Sequence, residues 1–319
     1  MSGGTSVHHA DEGELLDVAA KVAAEAQGDE QVEAFVGSST STSVRVHGGE
    51  IESLTQATTA GIGVRVVQGG RQGFAYAGSL DGAVIAEVLG EARDNAVYAQ
   101  PEEWVGLAEP DGVEPPDVDL WRDGLAATPT ERKVELALEL ERAVRARDPR
   151  IVGVRVAQWG DGSGVGAVVT STGIAVAGRS TFCHLSVQAL AEEGGETKTG
   201  YGVSVGREPA DVDLAEAADD AADRATRLLG AVQPASGTVT LVLEPRMAAT
   251  LLGVVAGTLN GEAVLKGRSP FAGRVGEQIA SPLITLVDDP TDPESLGADR
   301  HGRELERRPG CVQPVRVPV

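Results

Sequence analysis

The stretch that decides the fold is VEAFVGSSTSTSVRVHGGEIESLTQATTAGIGVRVVQGGRQGFAYA, Val32 to Ala77. Two Gly-Gly pairs punctuate it. Ser43–His47 and Ile51–Gln56 flank Gly48-Gly49, and Ile62–Val67 and Gln72–Ala77 flank Gly69-Gly70. A Gly-Gly pair between β-branched runs is a hairpin signal, because glycine alone enters the positive-φ region freely. Val32–Val36 reads as a further strand. Successive strands joined by tight turns are antiparallel, with the helices set apart from them, so the expected class is α+β.

The flanks supply the helices. Glu14–Gln27 is Ala-rich with apolar residues at helical spacing. Ser79 and Asp81 introduce a helix that runs to about Tyr98. Gln100–Gly124 carries Pro101, Pro110, Pro115 and Pro116 and reads as a linker. Thr128-Pro129-Thr130-Glu131 places a cap, a first-turn proline and a carboxylate at the head of a helix ending near Arg147. Ile151–Ala191 is strand-rich in four pieces, IVGVRVAQW, GAVVTST, IAVAGRST and HLSVQALA, and Tyr201–Val205 adds a strand. Asp211–Leu229 reads as a helix, Thr238–Leu243 as a buried strand and Met247–Leu259 as another helix. Gly73-Phe74-Ala75-Tyr76 and Gly200-Tyr201-Gly202-Val203 each end a strand series before an acidic, Ala-rich helix. A common α+β habit is preferred to a duplication as the source of this echo.

Composition narrows function. The 319 residues carry a formal net charge of −21, with 41% hydrophobic and 3% aromatic residues. That length allows more than one domain and a sizeable core built from Val, Ala, Leu and Ile. A phosphate-binding surface needs net positive charge, so nucleic acid and anionic membranes are disfavoured as partners. No apolar run reaches bilayer-spanning length, and MSGGTSVHHADEGE lacks the basic and apolar regions of an export signal. Cys183 and Cys311 form no disulfide framework. A reduced, cytoplasmic location is expected.

Three chemical motifs compete with structural readings. Gly202-Val203-Ser204-Val205-Gly206 matches the nucleophile elbow of serine hydrolases, which needs a strand-to-helix turn and a histidine behind Ser204. Only His301 follows it, so a strand with an outward serine is preferred. Gly162-Ser163-Gly164-Val165-Gly166-Ala167 matches a dinucleotide fingerprint, but strand residues follow where a helix must start, so a hairpin turn is preferred. For metals, His8, His9, His47, His184 and His301 share no ligand spacing. Cys183 and His184 are consecutive in a strand and point to opposite faces.

The most specific stretch is PRMAATLLGVVAGTLNGEAVLKGRSPFAGRVGEQIASPLITLVDDP, Pro245 to Pro290. The helical run is followed by Gly261-Glu262-Ala263-Val264, Lys266-Gly267-Arg268-Ser269, Gly273–Glu277 and Asp288-Asp289. This order resembles the C-terminal domain of the TldD/TldE (PmbA) family, and Val32 to the Asp81 helix resembles the family's N-terminal domain. The resemblance implies paired subunits that form a zinc-dependent peptidase, one of them bearing an H-E-x-x-x-H helix. Here the corresponding run is Gly253-Val254-Val255-Ala256-Gly257-Thr258, whose side chains supply no zinc donor.

The resemblance therefore implies a metal-free TldE/PmbA-like subunit, with no catalytic or metal residue of its own. Zinc would sit in a TldD-like partner of a heterodimer that cleaves unfolded or small peptides. Glu262, Arg268, Ser269, Glu277, Asp288 and Asp289 would line the chamber or the interface, and sheet edges would take a peptide as an added strand. The alternatives are a serine hydrolase using Ser204 and an inactive relic that only binds a partner. The expected division is a disordered tail 1–10, an N-terminal α+β domain with linker 11–124 and a middle α+β segment 125–230. The start of a β-rich, largely antiparallel C-terminal domain, 231–299, and an atypical tail, 300–319, complete it. Beyond Asp299 the likeness fails, which reads as an early termination, with a naturally short variant as the alternative.

Overall fold

A computed structural model describes residues 11–110, 112, 118–287 and 317–318. Its centre is one antiparallel sheet of six strands: β1 Gln31–His47, β2 Glu50–Gln68, β3 Arg71–Ala77, β4 Ile151–Thr170, β5 Ala175–Glu193 and β6 Glu196–Gly206. The order across the sheet is β3-β2-β1-β4-β5-β6. Helices α1 Glu12–Ala23, α2 Gly82–Tyr98, α3 Asp123–Ala126, α4 Thr130–Arg147 and α5 Leu214–Thr226 complete this part of the chain. The α+β class with antiparallel strands is what the structure has.

Both expected Gly-Gly turns close hairpins, with Gly48 and Gly49 at φ 64° and 82° and Gly69 and Gly70 at 57° and 71°. Gly194-Gly195 closes a third, not anticipated from sequence, at φ 60° and 82°. Two positive-φ residues in a row match the right-handed strand twist.

The strands are longer than the sequence suggests. Gly37–Thr42 lies inside β1, and the four pieces of Ile151–Ala191 are two continuous strands. Gly162–Ala167 is neither a fingerprint nor a hairpin turn but mid-strand in β4, where Gly162 pairs with Ser41 and Gly166 with Gly37. Hydrogen-bonded ladders on both sides hold these Gly/Ser/Thr runs extended, overriding their weak intrinsic preference.

The chain repeats one plan twice. A helix, a three-stranded meander and a second helix occur as α1-β1-β2-β3-α2 and again as α4-β4-β5-β6-α5. The echo between Gly73 and Gly200 belongs to this repeat. A Cβ on Gly73 would strike the backbone of Ala92 and Ala96, and one on Gly200 that of Ala221 and Ala225. Each helix thus lies directly on its edge strand. The halves join through β1 and β4, which pair from Glu33–Thr170 to Val46–Ala157. Two cores result. One gathers Leu15, Ala19, Val36, Val64 and Ala92. The other gathers Leu140, Val144, Leu185 and Ala221 around Trp159, the largest fully buried side chain.

Local capping is mixed. The Asp81 side chain accepts from Ala83 N at 2.9 Å, as its position at a helix start suggests. The Thr128 cap does not form. Pro129 is the N-cap of α4 without a side-chain bond, and Thr128 Oγ1 donates to Gly124 O at 2.6 Å. Helix α4 is instead fixed through Glu141, which is 1% exposed. Its two carboxylate oxygens accept from Gly48 N and Gly49 N, both at 2.8 Å, so one side chain holds the β1–β2 turn.

Burial pushes the Glu141 pKa up, but the N–H groups of Gly49 and Gly48 and the Arg145 guanidinium outweigh it and hold the group below the usual carboxylate range. A depressed folded pKa gives stability that is present above the unfolded value and lost as pH falls through the folded one. Glu141→Gln turns an amide N–H toward one turn N–H, and should cost about 1–3 kcal/mol in urea unfolding at neutral pH. The variant's stability should also fall less steeply than the parent's on acidification.

The linker after α2 has little regular structure but is tied down. Glu102 N donates to Gly70 O at 2.7 Å, and Leu120 O accepts from Thr181 N at 3.0 Å. Beyond α5, Thr238–Leu243 is not a buried strand. Val239, Leu241 and Val242 are 72%, 72% and 91% exposed, and the segment has no ladder partner among the described residues. Helix α6, Pro245–Thr258, buries none of its residues. It is followed by α7 Gly261–Leu265 and a two-stranded pair, β7 Thr285–Leu286 with β8 Val317–Pro318. Glu244, ion-paired with Arg227 at 2.8 Å and Arg224 at 3.6 Å, ties the start of α6 to α5.

Candidate functional site

The residues singled out from sequence fall in the segment around α7. Asn260 caps α7 by accepting from Glu262 N at 2.9 Å, and the Glu262 carboxylate pairs with Lys266 at 2.9 Å. Lys266 also reaches Glu102 at 3.1 Å, which ties this segment to the linker. Arg268 N and Ser269 N both donate to Ala263 O, at 2.8 and 3.1 Å, so these two residues form the exit turn of α7. Ser269 is 8% exposed and its hydroxyl accepts from Phe271 N. Glu277 is engaged locally by Arg274 at 2.7 Å. Asp288 and Asp289 lie outside the described residues, as do His8, His9, His301 and Cys311.

The donor chemistry for zinc is poor. Helix α6 reads PRMAATLLGVVAGT, without His, Cys, Asp or Glu. Among the described residues no group of three or more such side chains converges to hold a metal. The residues present at α6 do not fit a zinc site.

Ser204 sits in β6, is 6% exposed, and accepts from Asp213 N at 2.8 Å. The serine points inward, not outward as its sequence context suggests, and its lone pair serves the start of α5. His184 pairs in register with Val205, and Ser204 with Leu185, so imidazole and hydroxyl lie on opposite faces. Cys183 and His184 are likewise split. The Cys183 thiol is fully buried and pushed up to about 12, by burial first and then by Asp161. Burial also lowers the His184 pKa, which the Asp161 carboxylate partly opposes.

Side chains that sequence reading passed over assemble on the sheet face turned away from α1 and α2. Phe35, Phe74 and Tyr76 are 51%, 56% and 76% exposed there. They border a groove of about 660 Å³ whose floor includes Gly37, Gly63 and Gly166. Glycine admits the rings: a Cβ on Gly63 would lie 3.2 Å from Phe74, and one on Gly166 3.3 Å from Phe35. Further along the face, Ser43, Gln158, Phe182 and His184 line a smaller depression of about 310 Å³. Period-two alternation could have flagged Phe35 and Phe74 as facing away from Val36 and Ala75. Their convergence required the β1–β2–β3 register.

A helix-flanked, twofold-repeated antiparallel sheet followed by a separate C-terminal segment defines the class of protein. Three family models match in order: PmbA/TldA metallopeptidase domain 1 over residues 32–96, the central domain over 123–229 and the C-terminal domain over 236–307. The chain belongs to the TldD/TldE (PmbA) family. Metalloprotease PmbA of Escherichia coli O157:H7 is 27% identical over 86% of this chain and 62% of its own length. A metalloprotease TldD homolog of Haemophilus influenzae is 30% identical over 72% of this chain and 50% of its own. The crystal structure of TldE from Thermococcus kodakarensis superposes with a TM-score of 0.70 at 22% identity, over 90% of this chain and 63% of that one. The chain thus spans about half to two thirds of the length of these relatives. No helix among the described residues is long and apolar enough to cross a membrane.

Proposed function

We propose that this chain is the metal-free, TldE/PmbA-like member of a two-subunit zinc peptidase of the cytoplasm. The observation that carries the reading is the chemistry of α6, which offers no imidazole, thiolate or carboxylate; the resemblance matches its Gly253–Thr258 run to the H-E-x-x-x-H run of zinc-bearing members. A TldD-like subunit would hold the zinc and activate the hydrolytic water. This chain would contribute chamber wall and interface, with Glu262, Arg268, Ser269, Glu277, Asp288 and Asp289 as its candidate lining residues. Residues 11–124, 125–230 and 231–299 would be its working divisions.

Ser204 supports no nucleophilic role in this reading, because its hydroxyl is buried and engaged by Asp213 N. The test is metal analysis of the dialysed full chain, together with peptide cleavage alone and with a TldD-like subunit. Less than a tenth of an equivalent of zinc is expected (an order-of-magnitude threshold, set by the missing donors). Peptidase activity is expected only with the second subunit, and only from the metal-loaded pair. One tightly held zinc per chain, or cleavage by the chain alone, would overturn the assignment.

A further inference from the structure

The smaller depression on the sheet holds an unsatisfied polar atom. Nδ1 of His184 is buried and finds no hydrogen-bond partner among the described residues. Buried polar groups are normally paired, and one that is not calls for a reason, such as stored strain or a functional role. The imidazole is seated on a glycine. Gly160 lies opposite His184 in the β4–β5 ladder. A Cβ there would overlap Cε1 and fall 2.8 Å from Nε2 and 3.0 Å from Nδ1, so the ring lies over the space that glycine leaves. Phe182 tilts against it, with ring centroids 5.7 Å apart. The depression of about 310 Å³ that His184 lines gives the ring room to turn.

The surroundings of the ring are short of charge. On its own face β1 and β4 present Ser43 and Gln158, which bond to each other at 3.4 Å, and β6 presents Val205 in register. Arg45, one pair further along β1, is held by Glu52 at 3.4 Å. Across the sheet Asp161 is engaged by Lys133 of α4 at 2.7 Å. An acceptor left without a partner is better tolerated than an orphaned N–H, so the neutral ring carries its proton on Nε2. A second proton would place an N–H at Nδ1, where no described group receives it. Burial accordingly holds the His184 pKa below the ordinary histidine value, and the Asp161 carboxylate opposes this only in part. The sign follows. Above the ordinary value the ring is neutral in folded and unfolded chain alike, and its seat carries no charge penalty. As pH falls below that value the penalty grows, and it is complete at the folded pKa.

We propose that His184 is a pH-operated flap: neutral, it lies over Gly160, and protonated, it swings off the glycine into the depression and opens the floor beneath. The movement relieves the orphaned nitrogen, because the displaced ring can give both N–H groups to water or to the hydroxyl and amide of Ser43 and Gln158. The glycine makes the closed position available, and the depression makes the open one available. The proposal is independent of the peptidase-subunit reading.

The test is NMR of the full chain with labelled histidine and glycine, titrated with pH, the His184 signal being identified by its loss in His184→Gln. The expected result is the Nε2–H tautomer at neutral pH, a midpoint below the ordinary histidine value, and a Gly160 amide signal that moves with that same midpoint. Gly160→Ala should lift the ring at every pH and raise its midpoint. At a pH between the two midpoints the variant's ring is then mostly charged and the parent's mostly neutral. Gly160→Ala should also lower stability at neutral pH in the parent but not in His184→Ala, since the ring atoms are what its Cβ meets first. That cycle separates the ring from a general defect in β4. An Nδ1–H tautomer at neutral pH, a Gly160 signal indifferent to the titration, or an unchanged midpoint in Gly160→Ala would overturn the proposal.

Discussion

Replacing Lys133 by methionine should destabilise the protein by about 3–5 kcal/mol, the range for removing one partner of a buried ion pair. Lys133 on α4 reaches through the inner face of the sheet to Asp161 on β4, Nζ to Oδ2 at 2.7 Å, with side chains 9% and 6% exposed. Its ammonium also donates to Thr42 Oγ1 on β1 at 3.1 Å, and Trp159 Nε1 donates to the same Asp161 oxygen at 2.5 Å. One lysine therefore joins both halves of the sheet to the helix above them. In Lys133→Met the Asp161 carboxylate keeps only the indole N–H among the described residues, and an uncompensated charge stays in the core. The double variant Lys133→Met with Asp161→Asn removes that charge while keeping an acceptor for Trp159, and should recover most of the loss. Urea unfolding followed by tryptophan fluorescence, to which buried Trp159 contributes beside Trp104 and Trp121, reads both. A single variant within about 0.5 kcal/mol of the parent, the range of an ordinary surface change, would show that water reaches the pair.

Gly202→Ala is the second large effect. A Cβ there would overlap Ala217 O and lie 2.8 Å from Ala217 C and 2.9 Å from Ala221 N, all backbone atoms of α5. No rotamer can relieve that contact, so α5 must lift from β6 and loosen the alanine layer of Ala217, Ala218 and Ala221. Overpacking of this kind costs about 1–3 kcal/mol, sometimes more. Gly73→Ala should act in the same direction in the other half, against Ala92 and Ala96 of α2. Gly253→Ala is the contrast. Among the described residues nothing lies within 4 Å of its Cβ position on α6, so it should leave the main unfolding transition in place. Equal midpoints for Gly202→Ala and Gly253→Ala would contradict the close packing of α5 on β6.

These effects mark the division between local and tertiary information in this chain. The Gly-Gly pairs were legible because positive φ is a property of one residue, and they were enough to make the strands antiparallel. Asp81 announced its helix for the same reason: a carboxylate meets an N–H two residues on. The missing donors on α6 were also plain in the letters, since no fold gives valine or glycine a lone pair for zinc.

Only the tertiary structure decided the rest. Gly162–Ala167 looked like a turn until β1 and β5 were laid on either side of it, because a ladder partner far away in sequence fixes its backbone. Thr238–Leu243 looked like a buried strand from composition, yet burial needs a neighbour, and none of the described residues provides one. Nothing local in the sequence signals the pairing of Lys133 with Asp161 or the convergence of Phe35 and Phe74. Their meaning came from register, which places side chains from distant segments on one face within a few ångströms. Sequence signals act across a turn or two of chain, whereas the pairing of β1 with β4 that joins the two halves is a long-range choice made by the core.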